Sequence, residues 1–167
     1  TARVVDLTKL SYDVMRVMIE LPEGAQLPFR AGQYLNIVLG DGERRAFSFA
    51  NPPHEVAANG GKIELQIRKV EGGRFTSYVF DGLQKGDAIK LEGPLGDFVL
   101  RESDKPVVFV AGATGFAPVK SLIEHALALD AAPSLSLFWL ATSSDGHFMA
   151  NQCRAWSEAL DSFEVAL

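Results

Sequence analysis

Three short segments carry residue types that hold phosphate groups and flat rings. The first is Arg45-Ala46-Phe47-Ser48. A guanidinium presents a planar fork of donors that matches phosphate oxygens. Phe47 offers an apolar plane to a ring, and Ser48 offers a hydroxyl and a backbone group to a ring nitrogen. On a strand, Arg45 and Phe47 share one face while Ser48 points to the other. A ligand lying across a strand end also meets backbone groups. Taken alone, these four residues are better read as an ordinary strand with an exposed arginine.

The second segment is Gly72-Gly73-Arg74-Phe75-Thr76-Ser77. Paired glycines let backbone N–H groups turn toward an anion. Thr76 and Ser77 are expected to cap the next helix, whose N-terminus attracts phosphate. A plain strand-to-helix turn accounts for the segment equally well. The third segment is Gly112-Ala113-Thr114-Gly115-Phe116-Ala117-Pro118, between an apolar run and a helical pattern. A pyrophosphate fits at such a helix N-terminus. The third glycine of G-x-G-x-x-G is missing, so the spelled fingerprint is not matched. The context of strand, tight glycine turn and helix is nonetheless the one required, and it outweighs the alternative of a simple tight connection.

The elements that must position these segments change character along the chain. The first hundred residues read as β. Ile63, Leu65 and Ile67 alternate with Glu64, Gln66 and Arg68, the pattern of a half-buried strand. Ile89 and Leu91 alternate with Lys90 and Glu92, and the runs 14–21, 33–39 and 44–50 add β-branched and aromatic residues. Turn signals at Pro22-Glu23-Gly24, Gly40-Asp41-Gly42, Asn59-Gly60-Gly61 and Lys85-Gly86-Asp87 separate them. Five or six short strands of this kind predict a small antiparallel barrel. A single short helix is expected over 75–81, with Gly82 just past its end.

The pattern shifts at Arg101-Glu102-Ser103-Asp104-Lys105, which sets expected domains of 1–101 and 102–167. Val107 to Ala111 is an unbroken apolar run, as in a strand buried on both faces of a parallel sheet. Phe116, Val119, Leu122, Ile123, Ala126 and Leu127 mark the apolar face of a helix, with Pro118 in its first turn. A second strand over 135–141, a second helix carrying Met149, Cys153, Trp156 and Leu160, and a third strand from Phe163 follow. A β-α-β-α-β series is half of a doubly wound nucleotide-binding sheet. The Val107 run is expected to be a central strand. An open apolar edge invites aggregation, so the native chain is expected to continue with at least two more strands or to hide that edge in another contact.

Bulk composition removes several classes of function. With 16 Lys+Arg against 21 Asp+Glu, the net charge of −5 argues against a nucleic-acid surface and an anionic membrane surface. No apolar run approaches the ~20 residues of a membrane span, and no signal-peptide pattern is present. Cys153 is the one cysteine, so no internal disulfide and no four-thiolate iron–sulfur cluster can form. That usage fits a reducing cytoplasm. His54, His125 and His147 lack metal-ligand spacing, so no metal site is expected. Trp139 and Trp156 are assigned to packing, Cys153 to a helix core, and Asp145-Gly146-His147 to a loop.

Together, in order and spacing, the three segments resemble the ferredoxin–NADP reductase superfamily. That family carries an Arg-x-Tyr/Phe-Ser strand, a Gly-x-x-Ser/Thr phosphate turn and a Gly-Gly-Thr-Gly nicotinamide loop. These stand here as Arg45-Ala46-Phe47-Ser48, Gly73-Arg74-Phe75-Thr76 and Gly112-Ala113-Thr114-Gly115. Phe29-Arg30-Ala31-Gly32-Gln33-Tyr34 and Glu92-Gly93-Pro94-Leu95-Gly96-Asp97-Phe98 are further similarities. The likeness covers essentially the whole chain. It is nearest to bacterial NAD(P)H–flavin reductases and to reductase components resembling CDP-6-deoxy-hexulose reductase.

The resemblance implies a Greek-key flavin barrel followed by a truncated doubly wound parallel-sheet domain that binds NAD(P). It implies FAD rather than FMN, and NADH or NADPH as hydride donor. Arg45 would neutralise the flavin phosphate, Phe47 would pack on the isoalloxazine, and Ser48 would hydrogen-bond near its N5. Ile67 and Arg68 would line the ribityl and phosphate region, and Gly73, Arg74, Phe75 and Thr76 would hold the pyrophosphate. Thr114 and Gly115 would sit where nicotinamide meets flavin, within a loop running from Gly112 and Ala113 to Phe116 and Pro118. Ser48 and Thr114 are the residues expected to act catalytically. Electrons would pass to an iron–sulfur protein or a fused ferredoxin domain outside this chain. A reductase of diffusible flavin and a non-catalytic flavin module are the alternatives. Ala113 replaces a family glycine, and the family's later Cys-Gly-Pro segment and C-terminal aromatic do not occur in this sequence.

Overall fold

The computed structural model describes residues 1–167. Six strands form one antiparallel sheet: β1 (Ala2–Lys9), β2 (Val14–Glu20), β3 (Tyr34–Val38), β4 (Arg44–Ser48), β5 (Lys62–Arg68) and β6 (Ala88–Leu95). Their order is β4-β3-β6-β1-β2-β5. Just past β4, the Ala50 N–H donates to the Glu64 carbonyl at 2.9 Å, which draws the two outer strands together and curls the sheet toward a barrel. Inward residues such as Val4, Val17, Ile19, Leu35, Ile63, Leu65 and Ile67 fill its interior. Helices α1 (Pro53–Ala58) and α2 (Arg74–Asp81) add Val56, Phe75 and Val79 to the same core.

The second part is a parallel sheet of β7 (Val107–Gly112), β8 (Leu135–Leu140) and β9 (Phe163–Ala166). Helices α3 (Phe116–Leu129) and α4 (Ala150–Ala159) make the crossovers. Both pack on one face of the sheet, against Phe109, Ala111, Leu137, Trp139 and Phe163. The architecture is the expected one, an antiparallel barrel followed by a small α/β unit.

Four local expectations need correction. Strand β1 has no counterpart among the runs read from the sequence. Its register shifts between Val4 and Asp6, and this bulge breaks the period of two on which strand reading relies. The barrel also holds two helices rather than one. Helix α1 opens with Pro53 in its first position, where a missing N–H costs nothing.

Strand β5 is buried on both faces. Glu64 and Gln66 are only 5% and 4% exposed, because α3 and Met149 cover the face that carries them. Conversely, the Val107 run is buried on one face only. It stands at the sheet edge, with Val108 at 60% and Val110 at 64% exposure, because α3 and α4 share the opposite side.

Candidate functional site

A groove of about 580 Å³ runs between the barrel and the α/β unit. Strand β4 supplies one wall through Arg45, Ala46, Phe47 and Ser48. Strand β5 supplies Gln66 and Arg68, and Val70 follows it. The turn into α2 supplies Gly73, Arg74, Phe75 and Thr76. Across the groove stand Thr114, Gly115, Ala117 and Pro118, from the loop and first turn of α3. Residues as far apart in sequence as Arg45 and Pro118 therefore share one cleft.

Most of the residues singled out in the sequence line this groove, and four do not. Ile67 is 1% exposed and points into the barrel core. Its polar neighbours Gln66 and Arg68 face the groove instead, as the parity of a strand requires. Phe116 is fully buried beneath Trp139, with ring centroids 3.9 Å apart. Gly112 and Ala113 shape the loop backbone behind the lining residues. Gln66 and Val70 line the groove without having been singled out, and Ala117, named only as part of the third segment, lines it too. The alternation of β5 was the available signal for Gln66.

The lining carries three arginines and no carboxylate, in a chain whose net charge is −5. Arg45 is held by Glu43 at 2.7 Å and by its donation to the Arg44 carbonyl at 3.0 Å. Arg74 pairs with Asp41 of the β3–β4 turn. Arg68 has no carboxylate partner, so its five donors are free for a ligand. Phe47 is half-buried, and its ring rests 5.8 Å from that of Phe75, which fixes the plane it presents.

The α2 turn has the chemistry of an anion-accepting helix start. The N–H groups of Arg74, Phe75 and Thr76 have no backbone acceptor, as at any helix start, and these residues line the groove. Thr76 does not cap the helix as expected. Gly73 occupies the cap position, and the Thr76 hydroxyl braces the turn by accepting the Val70 N–H at 3.0 Å. Ser77 lies inside α2, its N–H bonded to the Gly73 carbonyl. A Cβ at Gly73 would come within 2.6 Å of Thr76 Oγ1 and 3.0 Å of the Val70 carbonyl oxygen, so only glycine fits this cradle.

One further observation fits a ring-bearing phosphate ligand. Gln66 Oε1 is buried without any donor, while its Nε2 donates to Glu64 at 2.8 Å. An unpaired buried acceptor beside a groove is costly unless a ligand supplies the donor. The signature segments 29–34 and 92–98 brace each other behind β4. Gln33 Nε2 donates to the Gly96 carbonyl at 2.9 Å, and a Cβ on Gly32 would strike the Phe98 carbonyl.

Other chemically suggestive residues lie elsewhere. Cys153 is fully buried, and burial pushes its thiol up to about 11, so it packs rather than reacts. Trp139 packs as expected, but its Nε1–H also donates to the Ala113 carbonyl at 3.0 Å. His147 Nε2 lies 2.8 Å from the Trp139 carbonyl. A larger hollow of about 1110 Å³ lies at another end of the barrel, near Leu27 and Val56. It includes Arg3 but also Glu20 and Glu23, and none of the three segments reaches it. No helix is long and apolar enough to cross a membrane.

Comparison with known proteins places this geometry. Residues 1–100 match the family model described as an oxidoreductase FAD-binding domain. The chain is 38% identical over 164 residues to reductase component 1 of terephthalate 1,2-dioxygenase from Comamonas, covering 98% of this chain and 47% of that protein. It is 38% identical over 127 residues to the CDP-6-deoxy-L-threo-D-glycero-4-hexulose-3-dehydrase reductase of Yersinia pestis, covering 76% and 37%. A solved phthalate dioxygenase reductase, described as a modular structure for electron transfer from pyridine nucleotides to a 2Fe–2S centre, superposes with a TM-score of 0.80 at 25% identity. That match covers 99% of this chain and 50% of the other. The chain thus spans about half the length of the relatives it matches. It belongs to the oxidoreductase FAD-binding domain family, within the ferredoxin reductase-like group of flavoproteins.

Proposed function

We propose that this chain forms the FAD site and the first part of the nicotinamide site of an NADH-dependent reductase component. Residues 1–101 would hold FAD, and residues 102–167 would begin the nucleotide-binding domain. The carrying observation is the groove, which has three arginines, no carboxylate and an open helix N-terminus on one wall, and the Thr114–Gly115 loop on the other. Bound FAD would supply the redox chemistry, taking two electrons from a nicotinamide and releasing them singly.

The protein's own share is binding, orientation and exclusion of water. Arg45 and Arg68 would neutralise phosphate charge through planar donor forks. The free N–H groups of Arg74, Phe75 and Thr76 would take the pyrophosphate. Phe47 would cover one face of the flat ring, and Ser48 would donate at its edge. Gln66 Oε1 would accept a ring N–H, which gives this buried side-chain acceptor the donor it lacks. Thr114 and Gly115 would orient the nicotinamide on the opposite wall. No side-chain nucleophile or base is needed.

The preference for NADH rests on Ala141-Thr142-Ser143-Ser144 after β8, which offers no arginine for a 2′-phosphate. The electron acceptor we propose is an iron–sulfur protein or domain outside this chain, as the phthalate dioxygenase reductase suggests. A cytoplasmic location is part of this reading and rests on the single cysteine. The test is an anaerobic visible spectrum of the protein loaded with FAD, before and after NADH. Flavin bands that bleach support the reading. Bands that persist restrict it to FAD binding, and failure to bind FAD overturns it.

A further inference from the structure

Lys120 is a charged residue in a place where charge is rare. It is 4% exposed, on the apolar side of α3, one helical turn after Phe116. Its ammonium makes one hydrogen bond and two ion pairs, to three separate parts of the chain. Nζ lies 2.8 Å from Glu124 on its own helix, 3.5 Å from Glu64 on β5, and 3.0 Å from the carbonyl of Ala50 beyond β4. Glu64 in turn accepts from Gln66 at 2.8 Å, and Gln66 lines the groove. Asn51 Oδ1 accepts the Glu64 N–H at 2.9 Å, which pins the same corner of the barrel.

These bonds cross the junction between barrel and α/β unit. Ala50 stands two residues after Ser48, and Lys120 stands six after Thr114. The two sides of the groove are therefore tied together two residues from Ser48 on one side and within two helical turns of Thr114 on the other. Elsewhere the junction depends on softer contacts, such as Gln66 to Met149 Sδ at 3.2 Å. A buried ion pair is weak evidence for net stability, because desolvation offsets its attraction. Its directional bonds still fix a register that apolar packing leaves loose. Hydride transfer needs reacting atoms roughly 3–3.5 Å apart, and a misplacement of about 1 Å costs rate steeply.

We propose that Lys120 is a positioning residue, which locks the Thr114–Gly115 loop at a set distance from Ser48 by bridging α3 to Glu64 and to the Ala50 backbone. This inference rests on the flavin–nicotinamide reading given above, but it is tested separately from it.

The test uses the whole chain with spin labels at Lys90→Cys on β6 and Ala128→Cys on α3, both exposed positions. Cys153 is fully buried and remains unlabelled. The parent protein should give one narrow label-to-label distance distribution by pulsed electron resonance. Lys120→Met should broaden or split it, while FAD affinity changes less than threefold and reduction of bound FAD by NADH slows at least tenfold. Met alone leaves Glu64 and Glu124 without the ammonium they share and risks misfolding. The neutral triple variant K120M/E64Q/E124Q avoids that and should broaden the distribution equally. Ile19→Val, a core change within the barrel, should leave the distance narrow and serves as the control for lost stability alone. A distribution that stays narrow in both Lys120 variants overturns the proposal. If the parent chain binds no FAD or is not reduced, the functional reading fails, and the distance measurement still decides the role of Lys120.

Discussion

The indole Nε1–H of Trp139 donates to the carbonyl of Ala113 at 3.0 Å, so a strand-end tryptophan holds the backbone of the loop that opens α3. Trp139 is 1% exposed and stacks on Phe116 at 3.9 Å with an 8° interplanar angle. The ring is thus fixed by packing before it fixes the loop. Trp139→Phe keeps an aromatic in the stack but deletes the donor. The expected loss of stability is about 2 kcal/mol, from the lost hydrogen bond and the smaller ring. Urea denaturation checks that figure. FAD affinity should stay unchanged, because no barrel residue is touched, while reduction by NADH should fall.

Ala113 itself has φ of +48°, a left-handed conformation unusual for a residue with a Cβ. The loop accepts strain of about 1–2 kcal/mol there. Ala113→Gly relieves it, and the extra freedom of glycine in the unfolded chain returns part of the gain. A net stabilisation of about 0.5–1 kcal/mol is expected, read as a higher urea midpoint. A lower midpoint would show that the Trp139 bond depends on the alanine.

Much of this arrangement was legible in the sequence. The glycine turns and their strand-to-helix context marked two of the three segments that meet in the groove, and the Arg45–Ser48 strand stood out only through its place in the family resemblance. The rest was hidden for identifiable reasons. The bulge between Val4 and Asp6 erased the alternation of β1. The polar face of β5 read as solvated, although α3 buries Glu64 and Gln66 against the barrel. Neighbours in sequence do not reveal which partner covers a face, so the same rule failed in the opposite sense at Val108 and Val110. Lys120 had a visible sign, a lone charge on the apolar side of a helix, but its carboxylate partner on β5 belongs to tertiary structure.

The phosphate turn gives a sharper test, because its glycine is required by space. Gly73→Ala places a Cβ 2.6 Å from Thr76 Oγ1 and pushes the turn away from α2. The position is surface-accessible, so the fold should survive, with a cost on the order of 1 kcal/mol. FAD affinity should fall by at least tenfold, measured by quenching of flavin fluorescence. Wild-type affinity in this variant would remove the turn from the proposed site.

Arg68 has no carboxylate partner within the protein, unlike Arg45 and Arg74. Arg68→Ala therefore strips charge from the groove without leaving an unpaired acid behind. A charge-assisted bond to phosphate is worth about 1.5–3 kcal/mol, so FAD affinity should drop roughly 10- to 100-fold. The deficit should shrink as salt rises, because the lost term is electrostatic. An affinity unchanged at low salt would assign Arg68 to the solvent.

Glu124 supplies a pH dependence whose sign follows from its surroundings. Burial raises its carboxyl, Lys120 pulls it back, and Glu55 of α1 pushes it up again through a hydrogen bond and its charge, to about 7 in all. The ammonium of Lys120 is drawn down by burial, but Glu64 and Glu124 outweigh that and hold it above the usual lysine range, so it stays charged throughout. The folded protein therefore keeps a proton on Glu124 that the unfolded chain releases above the ordinary value of 4.5. Its contribution is fully present below pH 4.5 and is lost as pH rises through about 7. The loss is on the order of 2 kcal/mol, allowing for the partial exposure of the side chain. Glu124→Gln removes the titration and keeps the shape. Urea unfolding of both proteins between pH 5 and pH 8 should show the variant gaining on the parent as pH rises, with the curves parallel above pH 8. Parallel curves across the whole range would mean that Glu124 is ionised at neutral pH as an ordinary partner of Lys120.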